Sequence, residues 1–564
     1  MKDINVTAQG RMFAILRHYG LQPYKARRGT KAFRGQLQCE RRPVAVQLEI
    51  TDWDFIRYPR ITLLDRPDSL PPLLAHVDAE GNLCYFASGS IILDRYRPDD
   101  AVQQCLDAAI RVLDDIMSGK SQTVAIANEF SAYWTFGQSP IAWPVLIDVL
   151  PKGAQSALYF SLTEEGKPTR GLITTDVFAA RNIAQNIDVA EVSKGSFACL
   201  LFESRVMPTV GGKRLPSTIR ELFEWLRQWD SGLSKEVQTR LGSDREYLAR
   251  NGCVIAIATP AGALGVRFLH ERKHRLGYST APKQYRQYLH ASGGTTPITR
   301  LRIDDISAEY IHTRNLDESP SLASKRISLI GCGAIGGYLA QALVRLGAGT
   351  GENGLLRLFD IGELEPDNLG RHALGFPALY QNKAIVMRDE LVRQFPYVAL
   401  EAHPDSPALT DEFFTTDLVI DGTGDEAVSE MINSRHVRSR RGPLLYIWVG
   451  GNGEYVQALW SDTERKHGCY RCMRLGDGPN YRQERFPVLE NVPKTRFLGC
   501  RSFTPYAVSA PLSASALAID MIIDWLKGDV KPRFRTRYVE NVEVRRIKNQ
   551  DIGQASHCPA CSGT

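Results

Sequence analysis

The sequence lacks a strong excess of charge of either sign. Its 564 residues carry 69 Lys and Arg against 63 Asp and Glu, a formal net charge of +6. So small an excess on so long a chain does not indicate a protein that binds nucleic acid through charge. We therefore expect no nucleic-acid partner.

Long hydrophobic runs and targeting signals are missing as well. No stretch of about 18 apolar residues occurs, which excludes a typical membrane-spanning helix. The N-terminal segment lacks the apolar stretch and the small-residue cleavage site of a secretory signal peptide. Repeats of solenoid length and long low-complexity segments are also absent. We expect a cytoplasmic protein with no membrane partner.

What the chain does have is the composition of an ordinary globular protein, with 43% hydrophobic and 23% charged residues. At roughly 100 to 200 residues per domain, its length predicts several folded units. Residues 1–118 combine short alternating strands with an amphipathic helix, which predicts a small α+β domain. Residues 119–300 mix strands and helices without readable chemistry, and residues 301–564 show the strand–helix alternation of a parallel α/β sheet.

A glycine-rich loop opens the last region. Gly331, Gly333 and Gly336 have the G-x-G-x-x-G spacing between the strand RISLI and an amphipathic helix, where a phosphate can rest on the N–H groups of the helix start. Asp360 closes the next strand, and its carboxylate suits ribose hydroxyls. These residues alone are compatible with a nicotinamide dehydrogenase, an ATP-using enzyme or a tight turn without a ligand.

The residues that follow favour ATP chemistry. Asn368, Arg371 and Lys383 supply an amide and two cations, and an enzyme that attacks the α-phosphate needs such cations to meet the charge on the phosphoryl oxygens. Hydride transfer needs no such pair. Asp421, at the end of the strand DLVID, is positioned for a metal ion or the nucleotide.

In this order, residues 320–564 resemble the adenylation domain of the ThiF and ubiquitin-activating enzyme superfamily. The resemblance implies a Rossmann-like fold that binds ATP and Mg2+ and adenylates the C-terminal carboxylate of a protein. It assigns ATP binding to the three glycines, Asp360, Asn368, Arg371, Lys383 and Asp421, and catalysis to Arg371 and Lys383. Two departures concern metal binding, because acidic residues common in that family are replaced here by Gly362 and Gly424.

Four of the 11 cysteines form two C-x-x-C pairs, Cys469 with Cys472 and Cys558 with Cys561. Two such pairs predict a closed tetrahedral thiolate site for structural Zn2+, and the same superfamily commonly carries one. A redox pair or a coincidence are the alternatives.

Cys500 lies between the two pairs, in a segment that resembles the crossover loop of ubiquitin-activating enzymes. The resemblance implies that its thiol attacks the acyl adenylate to form a thioester, and the neighbouring Arg501 would favour the thiolate. A buried structural cysteine is the alternative.

The N-terminal segment around Cys84 resembles the active-site region of a ubiquitin-conjugating enzyme. His76, Gly81, Leu83 and Cys84 match the positions of that family, and the resemblance makes Cys84 a catalytic nucleophile. The asparagine that stabilises the oxyanion in that family has no counterpart here, so the oxyanion donor stays open.

A conjugating-type domain, a middle domain and an activating domain in one chain resemble the fused CD-NTase-associated proteins of bacterial type II anti-phage CBASS operons. The resemblance implies that the C-terminus of a cGAS-like nucleotidyltransferase is adenylated, passed from Cys500 to Cys84 and joined to an amine of an unknown target. It also implies a homodimer. Two other functions stay open: an enzyme that adenylates a sulfur-carrier or ubiquitin-like protein, and a nucleotide-binding scaffold without catalysis.

Overall fold

The chain divides into two compact units in the computed structural model. One consists of Met1–Ala180 and Asp188–Asp305, and the other of Arg181–Ile187 and Ile306–Thr564. The predicted domain boundaries near residues 118 and 300 stay predictions. The structure describes residues 6–25, 29–65, 74–78, 80–119, 126–127, 129–138, 144–163, 170–186, 191–194, 197–209, 214–270, 278, 281–316, 319–462, 467–475, 483–498, 501–539, 542–556 and 558–561.

The N-terminal part of the first unit is an antiparallel sheet with the strand order β1-β2-β3-β4, covered by two helices. Burial alternates along β3, as the sequence PVAVQLEI predicts for a strand with one face on the core. Val102, Leu106 and Leu113 form the buried face of α2. The elements are α1 (Val6–His18), β1 (Leu21–Tyr24), β2 (Lys31–Gln38), β3 (Pro43–Ile50), β4 (Arg60–Leu63) and α2 (Pro98–Ser118).

An eight-stranded mixed sheet forms the rest of the first unit, in the order β7-β5-β12-β11-β10-β9-β6-β8. The start of the helix α5 is capped on both sides. The Thr218 hydroxyl accepts a hydrogen bond from the backbone of Glu221, and the Glu221 carboxylate accepts one from the backbone of Ser217. The elements up to Asp305 are α3 (Phe130–Tyr133), β5 (Val145–Ile147), β6 (Gln155–Thr163), β7 (Arg170–Thr174), α4 (Val177–Asn186, which crosses the division between the units), β8 (Glu191–Lys194), β9 (Phe197–Glu203), α5 (Ile219–Trp229), α6 (Ser231–Ser243), α7 (Arg245–Ala249), β10 (Gly252–Thr259), β11 (Gly262–Leu269), α8 (Pro282–His290) and β12 (Ile298–Asp305).

Arg300 fastens the segment after α3 to this sheet. Its side chain is buried, and the guanidinium donates to the carbonyl oxygens of Phe136 at 2.7 Å and Pro216 at 2.8 Å. Trp134 adds a hydrogen bond from its indole nitrogen to the carbonyl oxygen of Gly265 at 2.7 Å. These bonds set the position of α3, which reaches the Cys84 region described below.

The second unit has a seven-stranded sheet in the order β15-β14-β13-β16-β17-β18-β21. The first five strands run parallel to one another, and β18 is antiparallel to both of its neighbours, β17 and β21, which is the Rossmann-like α/β fold expected for this region. Its main elements are α9 (Ala308–Thr313), β13 (Arg326–Ile330), α10 (Ala334–Arg345), β14 (Leu355–Phe359), α11 (Lys383–Gln394), β15 (Leu400–His403), β16 (Leu418–Asp421), α12 (Glu426–Ser439), β17 (Pro443–Gly450), β18 (Tyr455–Asp462), β19 (Arg496–Leu498), β20 (Arg501–Phe503), α13 (Ser509–Leu526) and β21 (Phe534–Tyr538).

The helix α13 packs against α10 and the strands β17 and β18. By length and composition alone it is the one helix, among the described residues, that could cross a membrane, and 44% of it is buried inside the protein. Its buried residues include Leu517, Ala518, Met521 and Ile522, which join the core of the second unit.

Replacing Arg300 should destabilise the first unit. Arg300→Met leaves two buried carbonyl oxygens without their charged donor, and we expect a loss of about 2 to 4 kcal/mol in its free energy of unfolding. Denaturant unfolding of the full chain measures this loss. Arg302→Met is the matched control, because Arg302 lies on the same strand with its side chain 65% exposed. Equal losses of unfolding free energy in the two variants would contradict a stabilising role for the Arg300 hydrogen bonds.

Candidate functional site

The glycine loop turns sharply between β13 and α10. Gly331 has a φ of +87°, and a Cβ there would lie 2.9 Å from the backbone of Thr423. A Cβ on Gly336 would lie 1.8 Å from the carbonyl oxygen of Gly331. Glycine is therefore required at both positions by the fold itself. Gly333, by contrast, has open space at its Cβ position, at the start of α10 where a phosphate would bind.

Asp360 and Lys383 meet beside this loop. The Asp360 carboxylate accepts hydrogen bonds from the backbone N–H groups of Cys332 and Gly362, both at 2.7 Å. A Cβ on Gly362 would lie 3.1 Å from an Asp360 oxygen and 3.1 Å from the Lys383 Nζ. The absence of a side chain at Gly362 therefore leaves room for the ammonium group next to the carboxylate.

Arg371 and Asn368 belong to one tight turn. The carbonyl oxygen of Asn368 accepts hydrogen bonds from the backbone of Arg371 and of His372, both at 3.0 Å. The Asn368 amide oxygen accepts from the backbone of Glu365. Beyond the turn, the Arg371 guanidinium lies over the ring of Tyr506, 5.0 Å from its centroid. This is cation–π geometry, and it limits where the guanidinium can point.

Two further residues, His372 and Asn382, hold this site together and were not predicted from the sequence. Buried His372 accepts from the Leu374 backbone at Nδ1, so Nε2 carries the proton and donates to the carbonyl oxygen of Cys332 at 2.7 Å. Burial lowers the pKa of His372, which keeps it neutral. Asn382 caps α11 and donates to the carbonyl oxygen of Asp360 at 2.7 Å. Its signal in the sequence was an asparagine directly before a helix.

Asp421 is buried at the end of β16, with 1% of its surface exposed. Its carboxylate accepts hydrogen bonds from the backbone and hydroxyl of Thr423 and from the hydroxyl of Ser429. Burial raises the pKa of this carboxyl, while these hydrogen bonds lower it. The three hydrogen bonds use two acceptor positions on Oδ1 and one on Oδ2, so one position on Oδ2 stays available and Asp421 would hold Mg2+ there.

The four predicted zinc ligands come together, with their sulfur atoms all within 4.8 Å of one another. Sγ–Sγ distances are 3.8 Å for Cys469 with Cys472 and with Cys558, 3.6 Å for Cys472 with Cys561, and 3.1 Å for Cys561 with Cys469. Tetrahedral Zn2+ with bonds of about 2.3 Å requires sulfur separations of about 3.8 Å. The cluster therefore fits a structural zinc ion, which would fasten the C-terminal segment to the short 3-10 helix Tyr470–Met473.

Cys84 lies in a loop packed against the edge of the N-terminal sheet. Its backbone N–H donates to the carbonyl oxygen of His76 at 2.7 Å, and Leu83 donates to the carbonyl oxygen of Ile61. His76 has a φ of +62°, and Gly81, in the connecting turn, has a φ of +83°. Of the cysteines that the structure describes, Cys84 alone is exposed, whereas Cys105 and Cys332 are buried. Its thiol is therefore accessible to a second reactant.

Acidic groups surround this thiol. Burial raises the pKa of Cys84, and the charges of Glu129 and Asp78 raise it further. The hydroxyl of Tyr133 on α3 accepts a hydrogen bond from the backbone of His76 at 2.9 Å and donates to Glu129 at 3.2 Å. The segment held by Arg300 thus brings Glu129 to Cys84 from outside the predicted N-terminal domain.

Cys500 lies outside the described residues. The strands on either side of it, β19 and β20, form an antiparallel pair with Leu498 opposite Arg501. Its assignment as the first thiol of the relay therefore stays a prediction.

Two family models match this sequence. The ThiF family matches residues 311–559, and the family called prokaryotic E2 family B matches residues 14–140. The first match contains the glycine loop, Asp360, Arg371 and Lys383, and the second contains His76, Cys84 and Glu129.

Known proteins match almost the whole chain. ATP-dependent ubiquitin transferase-like protein Cap2 of Pseudomonas aeruginosa is 30% identical over 536 residues, 92% of this chain and 92% of its own. The protein of the same name from Escherichia coli is 25% identical over 561 residues, 92% of this chain and 91% of its own. A crystal structure of E. coli MccB with ATP covers 43% of this chain and 68% of its own, with 17% identity and a TM-score of 0.33.

The cysteine cluster should hold one zinc ion per chain. Cys472→Ser removes a thiolate from a four-ligand site, so we expect most of the bound zinc and several degrees of melting temperature to be lost. Elemental mass spectrometry and thermal unfolding measure both. Cys39→Ser, a half-buried cysteine outside the cluster, is the control. Wild-type protein that is purified without chelators and holds no zinc would contradict the assignment.

The acidic surroundings of Cys84 should control its titration. We expect the rate of Cys84 alkylation by iodoacetamide to reach half its maximum at a pH above the ordinary thiol pKa of about 8.5. Glu129→Gln removes a nearby negative charge, so the pKa should fall and alkylation at pH 7.5 should quicken about threefold. Mass spectrometry of the labelled peptide measures the rate. Asp115→Asn, which removes an exposed charge in the last turn of α2, should leave the alkylation rate of Cys84 unchanged. Equal rates for the two variants would count against the role of Glu129.

Proposed function

Because this chain belongs to the family of ATP-dependent ubiquitin transferase-like Cap2 proteins, we propose that it joins the C-terminus of another protein to an amine through two successive thioesters. The chain is an adenylating and conjugating enzyme that uses ATP, as the two matched families imply. The route of the acyl group and the identities of both substrates are the parts proposed here.

One observation supports the proposal most strongly. The second unit combines a phosphate-type glycine loop with Asp360 and Lys383 at its rim, and the first unit presents the exposed thiol of Cys84. An enzyme that only adenylates a sulfur carrier needs no second thiol, and a nucleotide-binding scaffold without catalysis needs no exposed thiol.

Adenylation is the first step. An oxygen of the C-terminal carboxylate attacks the α-phosphorus of ATP, a C–O–P linkage forms, and pyrophosphate leaves. Arg371 and Lys383 would meet the negative charge that builds on the phosphoryl oxygens. Asp360 would hold the ribose hydroxyls, and the N-terminus of α10 would accept a phosphate. Asp421 would hold Mg2+ through its remaining Oδ2 position, and the metal would supply further positive charge for the phosphoryl oxygens.

Two thiol steps and one amine step follow. The Cys500 sulfur attacks the acyl carbonyl carbon, a C–S bond forms, and the C–O bond to AMP breaks. The Cys84 sulfur then takes the acyl group and leaves Cys500 as a thiol. Finally an amine nitrogen attacks the carbonyl carbon of the Cys84 thioester, an amide C–N bond forms, the C–S bond breaks, and the proton lost by the amine leaves Cys84 as a thiol. Exchange between thiols is nearly isoenergetic, so ATP cleavage and the amide bond drive the sequence.

The surroundings of Cys84 favour a positively charged acceptor. Glu129 and Asp78 raise the pKa of the thiol, and the same negative charges attract an ammonium group. A lysine side chain arrives protonated at neutral pH and has to lose its proton before it attacks. We therefore propose a lysine-type amine as the acceptor.

The proposal extends to partners and setting. The activated protein is a cGAS-like nucleotidyltransferase, which conjugation primes for anti-phage signalling. The enzyme works as a homodimer in the cytoplasm, without nucleic acid or membrane. Support for these points comes from the resemblance to CD-NTase-associated proteins and, for nucleic acid, from the net charge of only +6.

Pyrophosphate exchange and thioester trapping test the relay. With a candidate nucleotidyltransferase and ATP, wild-type enzyme should catalyse exchange and carry acyl adducts on both cysteines. Cys84→Ala should keep the Cys500 adduct, and Cys500→Ala should keep exchange but lose both adducts. Mass spectrometry under non-reducing conditions detects the adducts. Loading of Cys84 in the Cys500→Ala variant would refute the order of transfer, and exchange without any adduct would leave a simple adenylating enzyme.

A further inference from the structure

Tyr133 connects the two sheets of the first unit. Its ring is 6% exposed and belongs to the hydrophobic core of the eight-stranded sheet, as do the neighbouring Phe130 and Trp134. Its hydroxyl oxygen accepts the backbone N–H of His76 at 2.9 Å. His76 lies in the loop that packs against the four-stranded sheet and leads to Cys84. One side chain therefore links the core of one sheet to the loop on the other.

The backbone of His76 adopts a conformation that needs support. Its φ of +62° is left-handed, which residues with a Cβ rarely adopt. The carbonyl oxygen of His76 accepts the backbone N–H of Cys84 at 2.7 Å. His76 thus bonds Tyr133 through its N–H and Cys84 through its carbonyl. If the left-handed turn relaxes, the acceptor for the Cys84 backbone changes direction, and the thiol moves with it.

The position of the Tyr133 hydroxyl is set by the eight-stranded sheet. The indole nitrogen of Trp134 donates to the carbonyl oxygen of Gly265 on β11 at 2.7 Å. The ring of Phe130 stacks on that of Trp225 on α5, with centroids 5.9 Å apart and planes at 12°. These contacts attach α3 to the eight-stranded sheet on both sides of Tyr133.

The Tyr133 hydroxyl has a second partner, Glu129. It donates to Glu129 Oε2 at 3.2 Å, and the residue Glu129 is exposed. A long hydrogen bond to an exposed carboxylate contributes little, because water competes for the carboxylate. The bond from the His76 backbone is shorter and ends on a buried tyrosine. The main role of the hydroxyl is therefore to hold the His76 backbone.

We propose that Tyr133 is a positioning residue through which the eight-stranded sheet holds the Cys84 thiol in place for acyl transfer. It acts through the backbone of His76 and not on adenylation, because the residues of the ATP site belong to the second unit. This inference rests on the proposed function, because it takes Cys84 as the thiol that carries the acyl group. A small displacement of a reacting group can cost about 100-fold in rate. The middle region, whose sequence shows no chemistry, thereby has a mechanical role.

Amide hydrogen exchange tests the link without any substrate. Tyr133→Phe removes only the hydroxyl, so the N–H of His76 loses its acceptor, and we expect hydrogen exchange in peptides spanning residues 75–85 to quicken about threefold or more. Glu129→Gln keeps an acceptor for the Tyr133 hydroxyl and should leave this exchange unchanged. Tyr19→Phe is the matched control, because it removes a hydroxyl that bonds α2 in the same unit.

Acyl loading tests the consequence for the thiol. With a candidate nucleotidyltransferase and ATP, Tyr133→Phe should keep pyrophosphate exchange within about twofold of wild type and load Cys84 about 5 to 20 times more slowly. Glycine adopts a φ of +62° without strain, so His76→Gly supplies a second background. In that background Tyr133→Phe should slow loading by no more than about threefold, because the turn no longer needs the hydroxyl to hold it. Mass spectrometry under non-reducing conditions measures the Cys84 adduct over time.

Several outcomes would overturn the proposal. Unchanged hydrogen exchange in Tyr133→Phe would refute the link between the hydroxyl and the loop. Equal slowing of loading in the wild-type and His76→Gly backgrounds would show that the hydroxyl does not act through the His76 turn. Wild-type enzyme that exchanges pyrophosphate but never loads Cys84 would refute the proposed relay. Normal loading of both wild type and Tyr133→Phe would refute this inference alone.

Discussion

The close approach of Gly336 to the carbonyl of Gly331 is the constraint on which the second unit depends. It sets the angle at which α10 leaves β13 and directs the helix N-terminus toward the carboxyl ends of the parallel strands. Gly331 also approaches Thr423, just after β16, so β13, α10 and the end of β16 converge at one point. Asp360 then closes this arrangement by accepting the backbone N–H of Cys332. The chemistry at this edge follows from backbone packing before any ligand is present.

The two thiols of the proposed relay have different surroundings in the chain. Cys84 is exposed but lies among carboxylates that disfavour its thiolate. Such a thiol reacts slowly with adventitious electrophiles, while its surroundings attract a cationic amine. In the sequence, Cys500 falls between β19 and β20, and the Asn452 side chain donates to the carbonyl oxygens of Lys494 and Pro505 at the two ends of this strand pair.

Much of the fold was open to prediction. The strand RISLI, the glycine loop and the helix after it are adjacent in sequence. The spacing of the glycines therefore predicts a local turn that only glycine permits. The two C-x-x-C pairs were equally informative, because metal-ligand spacing is a local property of each pair. The α+β character of the N-terminal region followed from the period-2 pattern of β3 and the helical periodicity of α2. The sequence carried no readable sign of the eight-stranded middle sheet as one structure, because its strand order is not the chain order.

By itself, the sequence determined the classes of chemistry: a nucleotide loop, a four-thiolate cluster and a candidate thiol at Cys84, each encoded within a few neighbouring residues. Only the tertiary structure decided which side chains from distant segments contact these sites. Glu129 reaches Cys84 through Tyr133 and His76. Asn452 joins segments 42 and 53 residues away, and Asp421 accepts hydrogen bonds from two hydroxyls and one backbone N–H. These contacts depend on how distant segments pack, and hydrogen bonds between distant segments leave no periodic signal in the sequence.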